Sequence, residues 1–289
     1  MSYPFIDWNE VWKSQFLRNK EFTLSLDCSS IWESKEYAKK FWDMSQEESE
    51  RINWTIEGTD VRPDSRVLDI GAGPGTLAIP FAKKVAHVTA IEPAYGMISI
   101  LNERIAEQGI KNIAVIQKSW EDVNADSDLQ PPYDVVIASF SLGMPDLKEA
   151  IEKMQNASSR YIYIYWFAGE TSWDIRNLEL WYMIHGKEFQ IAPKSDLLYC
   201  VLYQMGIYPN VLTFGLMHNL RFSSLKEALD YLRPQYQVAT DQQESMLRDY
   251  LNSNLSNENG SLVLRNHSNR AKIWWEIAGN KIQVIRNLD

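Results

Sequence analysis

Apolar and polar positions divide this chain into three stretches. In the middle stretch, short apolar runs alternate with helical periodicities. Arg66-Val-Leu-Asp-Ile70 is an apolar strand that ends in glycines, and Thr76 to Lys84 follows as a helix pattern. Val88 to Glu92 is a second strand, Ala94 to Glu107 a second helix stopped by Gly109, and Ile113 to Gln117 a third strand. Tyr133 to Ser139 and Tyr161 to Phe167 make a fourth and a fifth strand, with a helix from Asp146 to Met154 between them. Strands that are apolar nearly throughout, alternating with helices, predict a parallel sheet covered on both faces.

The flanks keep other rhythms. Residues 1–60 read as amphipathic helices, a helical N-terminal cap. Ser29 or Ser30 could cap a helix carrying Ile31, Trp32, Tyr37, Phe41 and Trp42, with Tyr37 and Phe41 on one face. Ser45 and Glu48 have the spacing of a capping box for a helix through Ile52 and Ile56, closed by Gly58. Beyond Gly169, residues 170–209 are rich in aromatics and helical in pattern, and Asn210 to Phe222 reads as strand. Ser223 to Tyr231 and Asp241 to Leu255 read as helices, so helical insertions are expected at about 170–209 and 223–258 of a domain spanning 61–289. Ser261 to Leu264 and Arg270 to Ile277, with a polar turn between, predict an antiparallel hairpin at a sheet edge.

Composition narrows the partners. With 289 residues, 45% of them hydrophobic, the chain can build one α/β core and an extra layer. The formal net charge is -9 and no Lys/Arg block stands out, so no nucleic acid is expected and small molecules or proteins become the substrates to consider. Cys28 and Cys200 form no CxxC pair, and the four histidines lack ligand spacing, so neither a disulfide framework nor a metal site is expected. The N-terminus has no basic start with an apolar core behind it, and no apolar run reaches the length of a membrane span. A cytoplasmic protein without a membrane partner is the expectation; nothing in the pattern speaks to oligomeric state.

The chemistry concentrates after the first strand. Gly71-Ala72-Gly73-Pro74-Gly75 joins that strand to a helix, at the place where a doubly wound sheet binds its ligands. Glycines allow positive φ and close approach of a ligand to the backbone, and the helix start offers free N–H groups. A dinucleotide fingerprint, G-x-G-x-x-G, needs glycine where Thr76 or Ala78 stands, and no GK[ST] follows to make a P-loop. Glu92 ends the second strand, where a carboxylate can accept hydrogen bonds from both hydroxyls of a ribose.

The loop G-x-G-x-G with Asp69 ahead of it resembles the first motif of class I S-adenosylmethionine-dependent methyltransferases. The resemblance covers roughly residues 65–168, and Lys272-Ile-Trp-Trp-Glu276 looks like the family's last strand. It implies a doubly wound, mostly parallel, seven-stranded Rossmann-like α/β sheet with an antiparallel last strand, and S-adenosylmethionine as cofactor. By the same resemblance Glu92 holds the ribose, and Pro93 to Met97 turn apolar side chains toward adenine. The family often has an Asp after the third strand, accepting from the adenine amino group. Ser119 stands there, so Ser119 or Glu121 would accept and Trp120 would stack. The cofactor set is then Asp69, Gly71, Ala72, Gly73, Gly75, Glu92, Pro93, Met97, Ser119, Trp120, Glu121 and Ser139.

The methyl acceptor is less defined. Pro131-Pro132-Tyr133 imitates the motif of amino-group methyltransferases but precedes the fourth strand instead of following it. The strand's end, Ser139-Phe-Ser-Leu142, resembles small-molecule methyltransferases related to quinone-biosynthesis enzymes. Phe140, Ser141, Trp166, Trp173 and Trp181 are candidates to line the acceptor, and Ser139 and His185 are candidates for a catalytic role. Asp146 and Glu149 read as a helix cap and a solvated face, not as metal ligands. Each of the 11 tryptophans taken singly is a core residue by default, but together they suggest an apolar chamber. Such a chamber suits methyl transfer from an activated sulfonium, which needs alignment and exclusion of water more than acid–base machinery. The expected function is methyl transfer from S-adenosylmethionine to a small molecule. A protein acceptor and a cofactor-binding module without turnover are the alternatives.

Overall fold

A computed structural model describes residues 6–23, 32–47, 49–217 and 219–277. Three helices come first: α1 (Trp8–Thr23), α2 (Lys35–Glu47) and α3 (Ser49–Glu57). The alternating stretch follows as β1 (Arg66–Ile70), α4 (Ala78–Ala82), β2 (His87–Ile91), α5 (Tyr95–Glu107), β3 (Ile113–Ile116), β4 (Tyr133–Ser139), α6 (Leu147–Ala157) and β5 (Ser158–Phe167). The remainder is α7 (Ser172–His185), α8 (Ser195–Gln204), β6 (Asn210–Met217), β7 (Leu220–Phe222), α9 (Leu225–Leu232), α10 (Asp241–Asn254), β8 (Leu255–Glu258), β9 (Ser261–Leu264) and β10 (His267–Glu276).

Seven strands form one sheet in the order β3-β2-β1-β4-β5-β10-β6, and β10 runs antiparallel to both its neighbours. The central strands are apolar on both faces because both faces are covered. Val67, Val88, Val135 and Ile137 face a layer containing Ala38 and Trp42 of α2, Ile52 and Ile56 of α3, and Ile100 and Leu101 of α5. Leu68, Val136, Ile162 and Ile164 face Trp12 of α1, Ile151 and Met154 of α6, and Leu198 and Leu202 of α8. Each of these Val, Leu, Ile and Met side chains contributes roughly 1.5–3 kcal/mol by leaving water. Trp12 is fully buried, and its Nε1 donates to the Met144 carbonyl at 3.0 Å, which satisfies its one polar group.

A third apolar cluster stands apart from the sheet. Leu180, Trp181 and Ile184 of α7 meet Leu229 and Leu232 of α9, Leu247 and Leu251 of α10, and Leu264 of β9. A separate three-stranded sheet, β7-β9-β8, closes this layer.

Several expectations need correction. The hairpin predicted from Ser261–Leu264 and Arg270–Ile277 does not form: β9 pairs with β7 and β8, and β10 inserts between β5 and β6. Asn210 to Phe222 is not one strand but two, β6 and β7, belonging to different sheets. Ser45 does not start a helix. It sits in the last turn of α2, where its hydroxyl donates to the Trp42 carbonyl at 2.7 Å. The caps at Ser29 and Ser30, and Ile31, Cys28, Glu48 and His218, lie outside the described residues. Asp146 does cap α6, accepting from the Glu149 N–H at 3.0 Å. Pro131-Pro132 leads into β4 through a cis peptide bond.

Candidate functional site

The glycine loop begins by prolonging the sheet. The N–H groups of Gly71 and Ala72 both donate to the Ile91 carbonyl, at 2.8 and 2.9 Å, so the loop leaves from the tips of β1 and β2. Its three glycines all have positive φ, at 69°, 56° and 92°. Their surroundings differ. A Cβ on Gly71 would collide with Ser141, whose hydroxyl donates to the Ile70 carbonyl at 2.6 Å and locks the loop after β4 onto the end of β1. On Gly75 it would stand 2.5 Å from Leu101 Cδ1, with Ile79 just beyond, so that glycine brings loop and helix together. On Gly73 it would meet nothing within 4 Å. The middle glycine therefore faces open space, as the floor of a ligand site would.

Glu92 is buried and spans the loop. One carboxylate oxygen accepts from the Gly73 N–H at 2.9 Å, and the other from the Ala94 N–H at 2.9 Å. Burial raises its pKa against those two donors, and the Glu33 carboxylate adds to the rise. Asp69, the penultimate residue of β1, is also buried. Burial first, and the Glu92 charge second, push it from 3.8 to about 7, while the Ala78 N–H pulls it down. Its Oδ2 has no hydrogen-bond partner among the described residues. Two buried carboxylates side by side, one with an orphaned oxygen, are costly unless a cationic or hydroxyl-rich group completes them.

The N-terminal segment reaches this corner. Glu33 accepts from the Tyr95 N–H at 3.0 Å, filling one orphan donor at the start of α5. The Trp32 and Glu33 carbonyls lie so close to Gly96 that a Cβ there would stand 2.5 and 2.7 Å from them. Met97 is buried in the same core cluster as Ala38 and Trp42, whereas Pro93 is exposed at the rim. Neither Glu33 nor the need for Gly96 is foreshadowed by the motif, because both depend on a contact between distant segments.

Other sequence candidates spread out. Ser119 is tied to its own turn, its hydroxyl donating to Asp122 Oδ2 at 2.7 Å. Trp120 is almost wholly buried beneath α6, where its Nε1 donates to the Ala150 carbonyl at 3.2 Å and the Lys153 ammonium lies 5.3 Å from its ring. Its indole is thus part of the core and not a free platform for a base. Glu121 is exposed. Trp166 is buried against Trp12, with its Nε1 donating to the Pro193 carbonyl at 2.9 Å. Trp181 and His185 stack on each other in the third cluster, and His185 Nε2 lies 2.9 Å from the Tyr236 carbonyl.

Aromatics do converge at the ends of β4 and β5. Ser139 is the last residue of β4, paired with Tyr165. Phe140 follows in the left-handed region at φ 57°, a strained conformation for a bulky side chain. Its ring packs on Phe167 at 4.9 Å, and Trp173 meets Phe167 edge-on at 5.3 Å. The Arg270 guanidinium lies 4.7 Å from the Phe140 ring centre, and the Lys194 ammonium 5.4 Å from that of Phe167. Lys194 is itself held by Asp174 in a buried ion pair at 2.7 Å. Arg270 and Lys194 were not singled out in the sequence; a charge at the start of the strand predicted from Arg270 to Ile277 is the one signal that could have marked Arg270.

A parallel sheet reversed by one antiparallel strand, a glycine loop after β1 and a buried acid after β2 define a Rossmann-like nucleotide-binding α/β domain. Residues 67–159 match the family model of the methyltransferase domain. A probable ribosomal RNA small subunit methyltransferase A from Methanosphaera stadtmanae is 32% identical over 90 residues, 31% of this chain and 31% of that protein. A ubiquinone biosynthesis O-methyltransferase from Vibrio parahaemolyticus is 31% identical over 119 residues, 39% of this chain and 49% of that protein. The chain thus spans less than half the length of these curated relatives. The crystal structure of a putative methyltransferase from Bacillus halodurans shares the fold, with a TM-score of 0.55 at 14% identity over 78% of this chain and 98% of that one. Among the described residues, no helix is long and apolar enough to cross a membrane, and no three of His, Cys, Asp and Glu converge to hold a metal ion.

Proposed function

We propose that this protein transfers a methyl group from S-adenosylmethionine to a small-molecule acceptor, in the cytoplasm. The observation that carries the reading is the pairing of Gly73, open to space, with Glu92 beneath it. Each Glu92 oxygen already accepts one backbone N–H and keeps lone pairs for two ribose hydroxyls. Asp69 Oδ2, unpartnered and buried, offers an acceptor for a cationic part of the same ligand. The residues present therefore fit the cofactor. When bound, it supplies a methyl sulfonium already activated for in-line displacement.

The chain's own groups then align and dry the site. Gly71 to Gly75 bring backbone to the ligand, Ser119 and Glu121 flank the adenine side, and Pro93 and Met97 close it. Ser139 and Phe140, at the tip of β4, would hold the acceptor against the aromatic wall of Phe167 and Trp173. Residues 1–60 act as the cap, a role supported by the Glu33 contact with Tyr95. His185, tied to a backbone carbonyl in another layer, has no part in this mechanism.

Glu92→Ala is expected to weaken binding of S-adenosylhomocysteine by about 3 kcal/mol, roughly a hundredfold in Kd, as hydrogen bonds to a charged acceptor are lost. Calorimetry measures it. No heat from the wild type with either form of the cofactor would overturn the cofactor assignment. Incubating cell extract with methyl-labelled cofactor tests the acceptor: label in the small-molecule fraction is expected, and label confined to protein or RNA would refute a small-molecule acceptor.

A further inference from the structure

The third apolar cluster borders an open pocket of about 600 Å³ between α7, α10 and the strands β8 to β10. Ser172, Arg176, Glu179, Tyr250, Arg265 and His267 contribute its polar lining, and Ile175 and Leu264 its apolar wall. That volume falls in the range of small-molecule sites.

Arg176 is the unusual group. Its side chain is buried, with the residue only 6% exposed, yet no carboxylate among the described residues lies within ion-pair distance of it. Its Nε donates to the Tyr236 hydroxyl at 3.1 Å and its Nη1 to Asn266 Oδ1 at 2.8 Å. Both partners are neutral. A guanidinium carries five N–H donors in a fixed fork, so these two bonds orient it and leave the remainder free. A buried charge without a counter-charge is expensive, and such groups are normally paired. The Tyr236 hydroxyl is itself anchored, donating to Asn177 Oδ1 at 2.8 Å, and Asn266 is buried. The fork is therefore held rigidly at the wall of a cavity.

The surrounding charges narrow the ligand. Arg265 stands exposed at the rim and is paired with Glu258 at 2.9 Å, an acid it shares with Arg221. Glu179 places one carboxylate on the wall, so a dianion such as a phosphate monoester would meet repulsion as well as attraction. A monoanion with a flat pair of oxygens suits the free edge of one guanidinium, which binds carboxylates bidentately. Ile175, 41% exposed, offers apolar surface for the rest of such a molecule.

We infer that this pocket binds a small organic monocarboxylate, its carboxylate on Arg176 and its apolar body against Ile175 and Leu264. The site is distinct from the glycine loop, and the inference does not rest on methyl transfer. The test titrates the full chain with 4-iodobenzoate and with its neutral isostere 4-iodobenzamide by calorimetry. Crystals soaked in the acid then locate iodine by its anomalous scattering. Saturable binding of the acid alone is expected, abolished in Arg176→Gln and weakened several-fold in Arg265→Ser. Arg176→Gln also removes a buried support of this layer, so Ile175→Glu, at an exposed position, supplies a second variant that should also abolish binding. Equal heats for acid and amide, no heat from the acid, iodine located outside the pocket, or undiminished binding in Ile175→Glu would each overturn the inference.

Discussion

Gly73 and Gly75 lie two residues apart, both with positive φ, yet their neighbours set opposite limits on substitution. Gly75→Ala drives a Cβ toward Leu101 and Ile79 at φ 92° and should cost about 2–5 kcal/mol, the sum of overpacking and left-handed strain. Gly73→Leu meets only the strain, about 1–2 kcal/mol, so the variant should fold. Its side chain fills the space above Glu92, and binding of S-adenosylhomocysteine should vanish. Thermal melts alongside calorimetry separate the two effects. Asp69 makes a second residue-level case. Folding raises its pKa from 3.8 to about 7, so between these values the folded chain binds the proton more than the unfolded chain does. Its contribution to stability is complete below pH 3.8 and is lost as pH rises to about 7. Asp69→Asn should therefore stabilise the ligand-free protein at pH 8 by up to about 4 kcal/mol, a gain that disappears in acid. Urea melts across pH check this, and an unchanged pH profile would count against it. The glycines and Glu92 were legible in the sequence because their chemistry is local: positive φ and an acid at a strand end. Trp120 was not, since only tertiary packing decides whether an indole after β3 turns toward a ligand or toward the Ala150 carbonyl.

Among the elements, α7 carries its start signal twice. Thr171 accepts from the Asp174 N–H at 3.1 Å, and Asp174 accepts in return from the Thr171 N–H at 2.9 Å, a reciprocal capping box. The same Asp174 carboxylate holds Lys194, ahead of α8, in a buried ion pair. Asp174→Ala removes the return half of the box, leaves the Thr171 cap in place and strands a buried ammonium, and should destabilise the protein by about 3–5 kcal/mol. Lys194→Met keeps the cap and stem and should cost less. Paired denaturation curves that show equal losses would refute this ranking. The parallel strands could be read from the sequence because an unbroken apolar run has one common use, burial on both faces. The pairing of β10 could not. Its partners β5 and β6 are remote along the chain, whereas Ser261–Leu264 is near and offers a turn, so local pattern favoured the wrong neighbour.

Across the whole molecule, two cores are built on the sheet and one beside it. Leu251, fully buried between α7 and α10 in the outlying cluster, is the place to test that separation. Leu251→Ala should cost about 2–5 kcal/mol. Hydrogen exchange should show the loss across residues 220–264 while β1, β2 and β4 keep their protection. A uniform rise in exchange would mean that the layers unfold as one. The sheet and its loop were legible at this scale, and the third cluster was not, because its helices have ordinary amphipathic patterns that do not say what they pack against. The chain leaves the main sheet at Met217 and returns at His267, and these two residues are direct partners in the ladder. The strands β6 and β10 are thus the two arms of one hairpin, and residues 219–266 hang from its tip. A lengthened loop whose ends are already pinned adds only about 0.6 kcal/mol for each doubling of its length. The pocket with Arg176 is built where that pendant meets α7, so its ligand can be respecified by changing the pendant while the strands that carry the glycine loop stay as they are.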